Sequence, residues 1–361
     1  MSTPKIGFCC KWLEPNRDLL PWQLLEKEVP MNQKKTTVTY MKTLDPKTQY
    51  KKMFDMTQAN CAVLWRQLTW LSQQPVEMRL FRVTSALVPL YTVPDFSFIF
   101  QDPEFKTMLQ NGLSGVREFA DYHQIRLCTH PGQFTNICSP EERIVQNAID
   151  ELEYHAMLAR LMGYGDTWHS SGFAINIHAN ITQDPDLERF RTVVKTKLSK
   201  EARNLITLEN DEFSCTVDDI VASKIGDDVA LVLDIHHHFV ASGGEYIKPD
   251  DPRVQVFKDS WRGVRPLGHY SVSSEELLKD HSKTTLPDFS ALEEQGLTKT
   301  ALRAHSHLMW NEAANKWAVS HLSWTDLEVE SGGKNLSSKQ LYDQYKGQGK
   351  NHELSINNII R

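Results

Sequence analysis

The chain has 361 residues, 40% hydrophobic and 24% charged, with a formal net charge of −6. That is enough to bury a large core and too long for most small single-sheet folds. A protein that coats DNA by charge is usually basic, so the acidic balance argues against that class; it leaves room for an enzyme that meets phosphate through bound cations and a local positive face. Six cysteines without a CxxC pair, no basic and apolar leader, and no run near the roughly 20 apolar residues that span a bilayer predict a soluble cytoplasmic protein with free thiols and no membrane partner.

Taken in chain order, eight short β-rich runs end abruptly on polar or ligand-type residues: KIGFCC (5–10), RLFRVTS (79–85), IRLCTH (125–130), FAINIH (173–178), NLITLEN (204–210), ALVLDIH (230–236), VRPLGHY (264–270) and DLEVE (326–330). Their nearly continuous apolar character predicts strands covered on both faces, as parallel strands are. The first connection, 11–78, is long and carries helix-like material from about 40 to 72. The clearest helix lies at 139–163, with Ser139 as cap, Pro140 in the first helical position, Glu142 three residues after the cap and Gly163 as terminator. Residues 241–263 read as a polar loop. A strand–helix alternation repeated about eight times predicts a (β/α)8 TIM barrel over residues 1–330, with 331–361 as a peripheral tail rich in Gly, Ser, Lys, Asn and Gln.

In such a barrel the active site lies at the C-terminal ends of the strands. Those ends supply His130, His178, Glu209, Asp234 with His236 to His238, His269 and Glu330, with His305 in the loop before the last strand. Imidazole and carboxylate together suit Mn²⁺, Zn²⁺ or Fe²⁺, and several carboxylates allow bridging between ions. One histidine after a strand is ordinarily a hydrogen-bonded or surface residue, and Asn210 and Asp211 alone could simply make a turn. Burying the whole set side by side, however, costs several kcal/mol unless cations compensate. The run LCTHPGQFTN (127–136) adds Gln133 and Phe134 to a loop whose polar neighbours make burial expensive, which predicts an exposed ring.

At these residues the sequence resembles the UV damage endonuclease family, through FRVTSALVPL, HPGQF, ELEYHAMLARLMG, INIHAN, LITLENDE, LVLDIHHH, HYS and RAHSH, in order from about residue 5 to 330. The resemblance implies metal ligands at His130, His178, Glu209, Asp234, His237, His269 and His305, with Glu330 as an eighth. It makes Glu209, Asp234, His237 and Glu330 catalytic. It also implies two to three divalent ions, Mn²⁺ ahead of Zn²⁺, Mg²⁺ or Co²⁺, and a damaged double-stranded DNA substrate nicked 5′ to the lesion to leave a 3′-OH and a 5′-phosphate. Gln133 and Phe134 match the family's lesion probe. Phe8 and Trp12 stand where the family has a tyrosine and an asparagine, and count as lesion-binding by position, Trp12 either stacking on a base or packing under the long first connection.

Two further positions depart from the family: Leu267 replaces a carboxylated lysine that bridges metals, and Tyr91-Thr92-Val93 replaces a histidine. These departures predict one weakened metal position. The alternatives are an AP endonuclease or sugar isomerase of the same barrel, or a damage-binding protein that has lost catalysis. The expected assembly is a monomer, in a bacterial or phage-infected cell.

Overall fold

The computed structural model describes residues 3–14, 30–132, 134–179 and 187–357. Eight parallel strands close on themselves in sequence order: β1 (Ile6–Cys9), β2 (Leu80–Val83), β3 (Arg126–Thr129), β4 (Ala174–His178), β5 (Ile206–Glu209), β6 (Ala230–Asp234), β7 (Leu267–Tyr270) and β8 (Asp326–Val329). Closure is made by Phe8 opposite Phe81 on one side of β1 and opposite Val329 on the other. Each strand is followed by a principal helix: α1 (Pro46–Ser72), α2 (Pro103–Leu113), α3 (Glu142–Met162), α4 (Glu188–Lys197), α5 (Val217–Ser223), α6 (Pro252–Ser260), α7 (Glu312–Ser320) and α8 (Lys334–Asn357). All eight expected strands form, and the TIM barrel is the fold. Among the described residues no helix is long and apolar enough to cross a membrane.

Period-two alternation divides the strands into two populations. Side chains such as Phe8, Phe81, Leu127, Ile177, Leu208, Leu233 and Leu327 join the large cluster between barrel and helices. Leu80, Cys128, Ala174, Ala230, Val232 and Leu267 form a second, smaller cluster with Trp261 inside the barrel. Gly7 also belongs to this inner face, where a Cβ would lie 2.3 Å from the Leu80 carbonyl oxygen. Glycine there lets β1 and β2 approach.

Four local expectations change. α3 begins at Glu142 rather than Pro140, because Ser139 Oγ accepts from the nearby Glu141 N–H (3.2 Å) and Glu141 occupies the cap position; Gly163 does end the helix, at φ 102°. The segment 241–263 is not all loop: Asp251 caps α6 and Pro252 opens it, an Asp-Pro start visible in the sequence. The strand ALVLDIH stops at Asp234, and Ile235–Ala241 is a helical segment. The residues expected as a peripheral tail supply α8, which packs on β1 and β8 and completes the helical ring. Leu341 on α8 is fully buried, Ser337 Oγ donates to the His307 carbonyl (2.7 Å), and Lys346 pairs with Glu77. Few large apolar residues are needed where one narrow face is covered, so the composition of α8 resembles that of a tail.

Candidate metal centre

The inner-facing residues change character toward the C-terminal ends of the strands. Above the apolar cluster come Arg82, Asn176, Thr207 and Glu328, and above these His130, His178, Glu209, Asp234, His269 and Glu330. Glu209, at the end of β5, is fully buried and stands at the centre. Its Oε2 faces His130 Nε2 at 3.2 Å and His178 Nε2 at 3.8 Å. Its Oε1 faces His269 Nδ1 at 2.8 Å and His237 Nδ1 at 3.7 Å. Three donor groups therefore share this carboxylate: His130–His178–Glu209, Glu209–Asp234–His237 and Glu209–His269–Glu330, each with donor atoms within 4.8 Å of one another.

Local structure fixes the donors. Asp234 caps the helical segment after β6: its Oδ1 accepts from the His236 and His237 N–H groups, both at 2.8 Å. Its Oδ2 is buried without a hydrogen-bond partner among the described residues. Asn210 clamps the Asp234 backbone, donating to its carbonyl (3.0 Å) and accepting from its N–H (2.9 Å), while the Asn210 carbonyl lies 3.1 Å from His237 Nδ1. The His178 Nδ1 atom is likewise buried without a hydrogen-bond partner among the described residues. A bare carboxylate oxygen and a bare imidazole nitrogen beside three overlapping donor groups fit divalent cations.

Burial would raise the Glu209 carboxyl, but the His269 and His178 imidazoles and hydrogen bonds from His130 and His269 hold it well below the usual range. Burial would lower His237, yet Asp234, Glu209 and Glu212 outweigh it and push it up to about 9. His269 is raised well above its ordinary value, burial again being outweighed by Glu209. His178 is lowered, chiefly by burial. Glu330 is held low because Arg82 and His269 overcome its burial.

His305 stands beside the centre rather than within a donor group, its Nδ1 3.8 Å from Glu330 Oε2 and its ring 6.0 Å from that of His237. His236 is turned away behind it, with the two rings 5.7 Å apart, and His238 points outward to Glu245 at 3.1 Å. Leu267 is fully buried in the barrel interior two residues before His269 and offers no donor. Tyr91 stacks on Tyr154, Thr92 bonds to Glu151 and Val93 packs on the core, so these residues do not replace the expected histidine.

Phe134 is 86% exposed, as its loop predicted, whereas Gln133 lies outside the described residues. Phe8 and Trp12 need correcting as lesion-binding residues. Phe8 faces outward from β1 and packs on Phe81 and Trp70, with ring centroids 5.1 and 6.0 Å away. Trp12 meets the edge of Trp70 at 6.2 Å and is also buried. Neither ring presents a face to a duplex; Trp12 packs under the first connection, bound through its backbone to Asn32.

Several residues of the centre were not singled out from the sequence. Arg82 reaches Glu328 and Glu330, and its Nη2 lies 3.2 Å from His269 Nε2, where the Asn176 amide also sits at 3.1 Å. The fully buried Glu328 is held well down, to about 2, because Arg82 and His269 overcome its burial. The alternation Asp326-Leu327-Glu328-Val329-Glu330 contains the clue, since acids two apart on a barrel strand all face inward. Glu212 lies 3.8 Å from His237 and bonds to Arg303, whose guanidinium covers the exposed ring of Phe213 at 5.4 Å.

Comparison with known proteins points the same way. The profile of the family described as UV-endonuclease UvdE matches residues 20–350, including much of α8. A UV DNA damage endonuclease of Bacillus anthracis (strain A0248) is 29% identical over 250 residues, covering 68% of this chain and 74% of that protein. A UV-damage endonuclease of Schizosaccharomyces pombe is 29% identical over 205 residues, covering 55% of this chain and 33% of its own length. Among solved structures, that of SacUVDE superposes with a TM-score of 0.67 at 22% identity, covering 88% of this chain and 94% of that one, a likeness of fold.

Proposed function

The chain belongs to the UV-endonuclease UvdE family and is a DNA repair endonuclease acting on UV damage, and from that premise we propose how its residues carry the reaction. The substrate is damaged double-stranded DNA, cut by hydrolysis on the 5′ side of the lesion to leave a 3′-OH and a 5′-phosphate. The observation that carries this reading is the sharing of buried Glu209 by three donor groups. His130, His178 and Glu209 would hold one divalent ion, Glu209, Asp234 and His237 a second, and Glu209, His269 and Glu330 a third, with His305 supporting Glu330. When bound, two to three such ions, Mn²⁺ ahead of Zn²⁺, Mg²⁺ or Co²⁺, supply Lewis-acid stabilisation of the phosphate and lower the pKa of an attacking water.

The protein residues supply orientation. Asn210 and the helical turn after β6 lock Asp234 with one oxygen free, Glu212 faces His237, and Arg82 with Asn176 holds His269. Glu209, Asp234, His237 and Glu330 are the catalytic set. The third position is the weakest, because Arg82 already pairs with Glu330 and Leu267 contributes no donor. Phe134, with Gln133 beside it, reads the lesion: an exposed ring replaces stacking lost at a damaged step, worth roughly 1–3 kcal/mol per base. Selectivity then follows deformability rather than base identity.

The test is incision of a 5′-labelled duplex carrying one cyclobutane dimer, beside an undamaged twin, in Mn²⁺, Zn²⁺, Mg²⁺ or Co²⁺ and in EDTA. A Mn²⁺-dependent nick immediately 5′ to the dimer, extendable by a polymerase, is expected. Damage-selective binding without a nick in any of the four metals contradicts the reading, and cutting confined to an abasic site would reassign the substrate.

A further inference from the structure

Charge is distributed unevenly along this acidic chain. Residues 34–52 carry six lysines and one aspartate, although the whole chain is at −6. Lys34, Lys47, Lys51 and Lys52 line one surface groove of ≈ 950 Å³ together with Tyr40 and the carboxylates of Asp45 and Asp55. The groove lies along the first turns of α1. Asn60 on that helix donates to the carbonyls of Ala86 and Leu87, just past the C-terminal end of β2, and accepts from the Lys34 N–H. From there α1 runs back toward the N-terminal end of β2. Its first fourteen residues, Pro46–Ala59, therefore add about 21 Å of helix beyond that level, on the side of the barrel that holds the metal centre.

This overhang is well supported. Asp45 caps it, the Tyr50 hydroxyl donates to Asp102 (2.8 Å), and Met53 is fully buried beneath it. Its charge is only partly met within the protein. Lys51 pairs with Asp55 at 2.9 Å and Lys52 lies 5.0 Å over the Tyr40 ring, while Lys34 and Lys47 are exposed. Lys47, Lys51 and Lys52 lie on the face of α1 opposite its buried Met53, Thr57 and Asn60, so this end of the helix presents a cationic outer rim, at the end of the barrel that holds the carboxylates, to a polyanion that crosses it.

We propose that this lysine wall is a track for the phosphate backbone of the duplex, engaging it away from the lesion. The proposal rests on the reading that the substrate is duplex DNA, and it adds where the undamaged arm of that duplex is held. B-DNA carries one negative charge per ≈ 1.7 Å of axis, so an arm reaching past the barrel rim brings many phosphates to the wall. Such contacts set register without reading sequence, and they treat damaged and intact DNA alike.

The experiment compares the wild type with the fourfold variant Lys34→Ala, Lys47→Ala, Lys51→Ala, Lys52→Ala in Mn²⁺. It measures anisotropy binding of an undamaged 30-mer duplex from 50 to 200 mM salt, with KM and kcat for a dimer-containing duplex. The alanine variant is expected to bind the undamaged duplex at least about tenfold more weakly and to raise KM by a similar factor, leaving kcat unchanged. Its slope of log affinity against log salt should fall by about two to four, each phosphate contact contributing ≈ 0.9. The matching Lys→Arg variant should keep the wild-type slope. An unchanged slope and affinity, or a loss confined to damaged DNA, would overturn the wall. A wild type that binds neither duplex would sink the parent reading, and needs no variant to be recognised.

Discussion

The two ends of the barrel interior both bury charge, and they treat it oppositely. At the N-terminal end Asp326 pairs with Arg126 (2.9 Å) and Arg265 (2.6 Å). Those guanidiniums also donate to the backbone carbonyls of Gly172, Pro266, Leu322 and Thr325, with Arg126 Nη2 left without a hydrogen-bond partner among the described residues. At the C-terminal end Glu209, Asp234, Glu328 and Glu330 converge on one guanidinium, Arg82, and several imidazoles, with Asp234 Oδ2 and His178 Nδ1 lacking hydrogen-bond partners among the described residues. A cluster whose carboxylate is fully matched by guanidiniums stabilises a fold, whereas a cluster with more carboxylates than fixed cations is completed by something that binds. The contrast follows the general division of TIM barrels into a stabilising face and a catalytic one.

The contrast can be broken first at its upper end. Glu209→Ala removes the carboxylate common to all three donor groups, so incision should fall by roughly 10³-fold or more, the scale of losing a group that stabilises transition-state charge, while duplex binding survives. Single-turnover incision beside anisotropy binding checks this. At the lower end, Asp326→Ala should leave incision per folded molecule intact but lower stability by about 3–5 kcal/mol, because the buried Arg126 and the half-buried Arg265 guanidiniums lose their shared carboxylate. Urea unfolding measures that loss, and a stable variant would show that the lower cluster is dispensable.

Acid should separate the ends next. Burial lowers His321 to about 4 and His169 to about 3, only partly opposed by hydrogen bonds to the Ile247 and Phe173 carbonyls. Both rings lie before a strand, at the stabilising end. The unfolded chain takes up these protons near pH 6.5 while the folded chain refuses them down to pH 4 or below, so stability must fall as pH drops through that window. For His321 the loss by pH 4 is about 3 kcal/mol. Urea midpoints at pH 7, 5.5 and 4.5 should fall accordingly, and His321→Gln should flatten the trend; a wild type with no trend contradicts the assignment. The smallest effect belongs to the rim: Phe134→Ala should reduce the preference for damaged over intact duplex about tenfold, within the range of one lost base stack, without changing the melting temperature.

Much of this was legible in the sequence where side-chain chemistry and strand period coincide. Every strand was visible because an apolar run stopped on a polar or ligand-type residue, and His130, His178, Glu209, Asp234, His237, His269 and Glu330 converge as their positions at or just past those ends implied. Partners inside the barrel were harder to find. Arg82 and Glu328 sit within apolar runs, and their role emerges only when alternation places them on the inner face beside His269. The same alternation points Phe8 outward into the helix layer, where position relative to a family motif had suggested DNA. α8 was obscured by its polar composition, since a helix with one narrow buried face needs little apolar surface.

The most direct test of the claim that cations complete the upper cluster is a Mn²⁺ titration of EDTA-treated protein, following bound metal, released protons and dimer incision together. Because His237, pushed up to about 9, must lose its proton to act as a ligand, binding at pH 7 should release protons and tighten as pH rises. At least two equivalents should bind, the third most weakly, with incision appearing as the second is taken up. Full incision in EDTA, or saturation below two equivalents with activity intact, would contradict it.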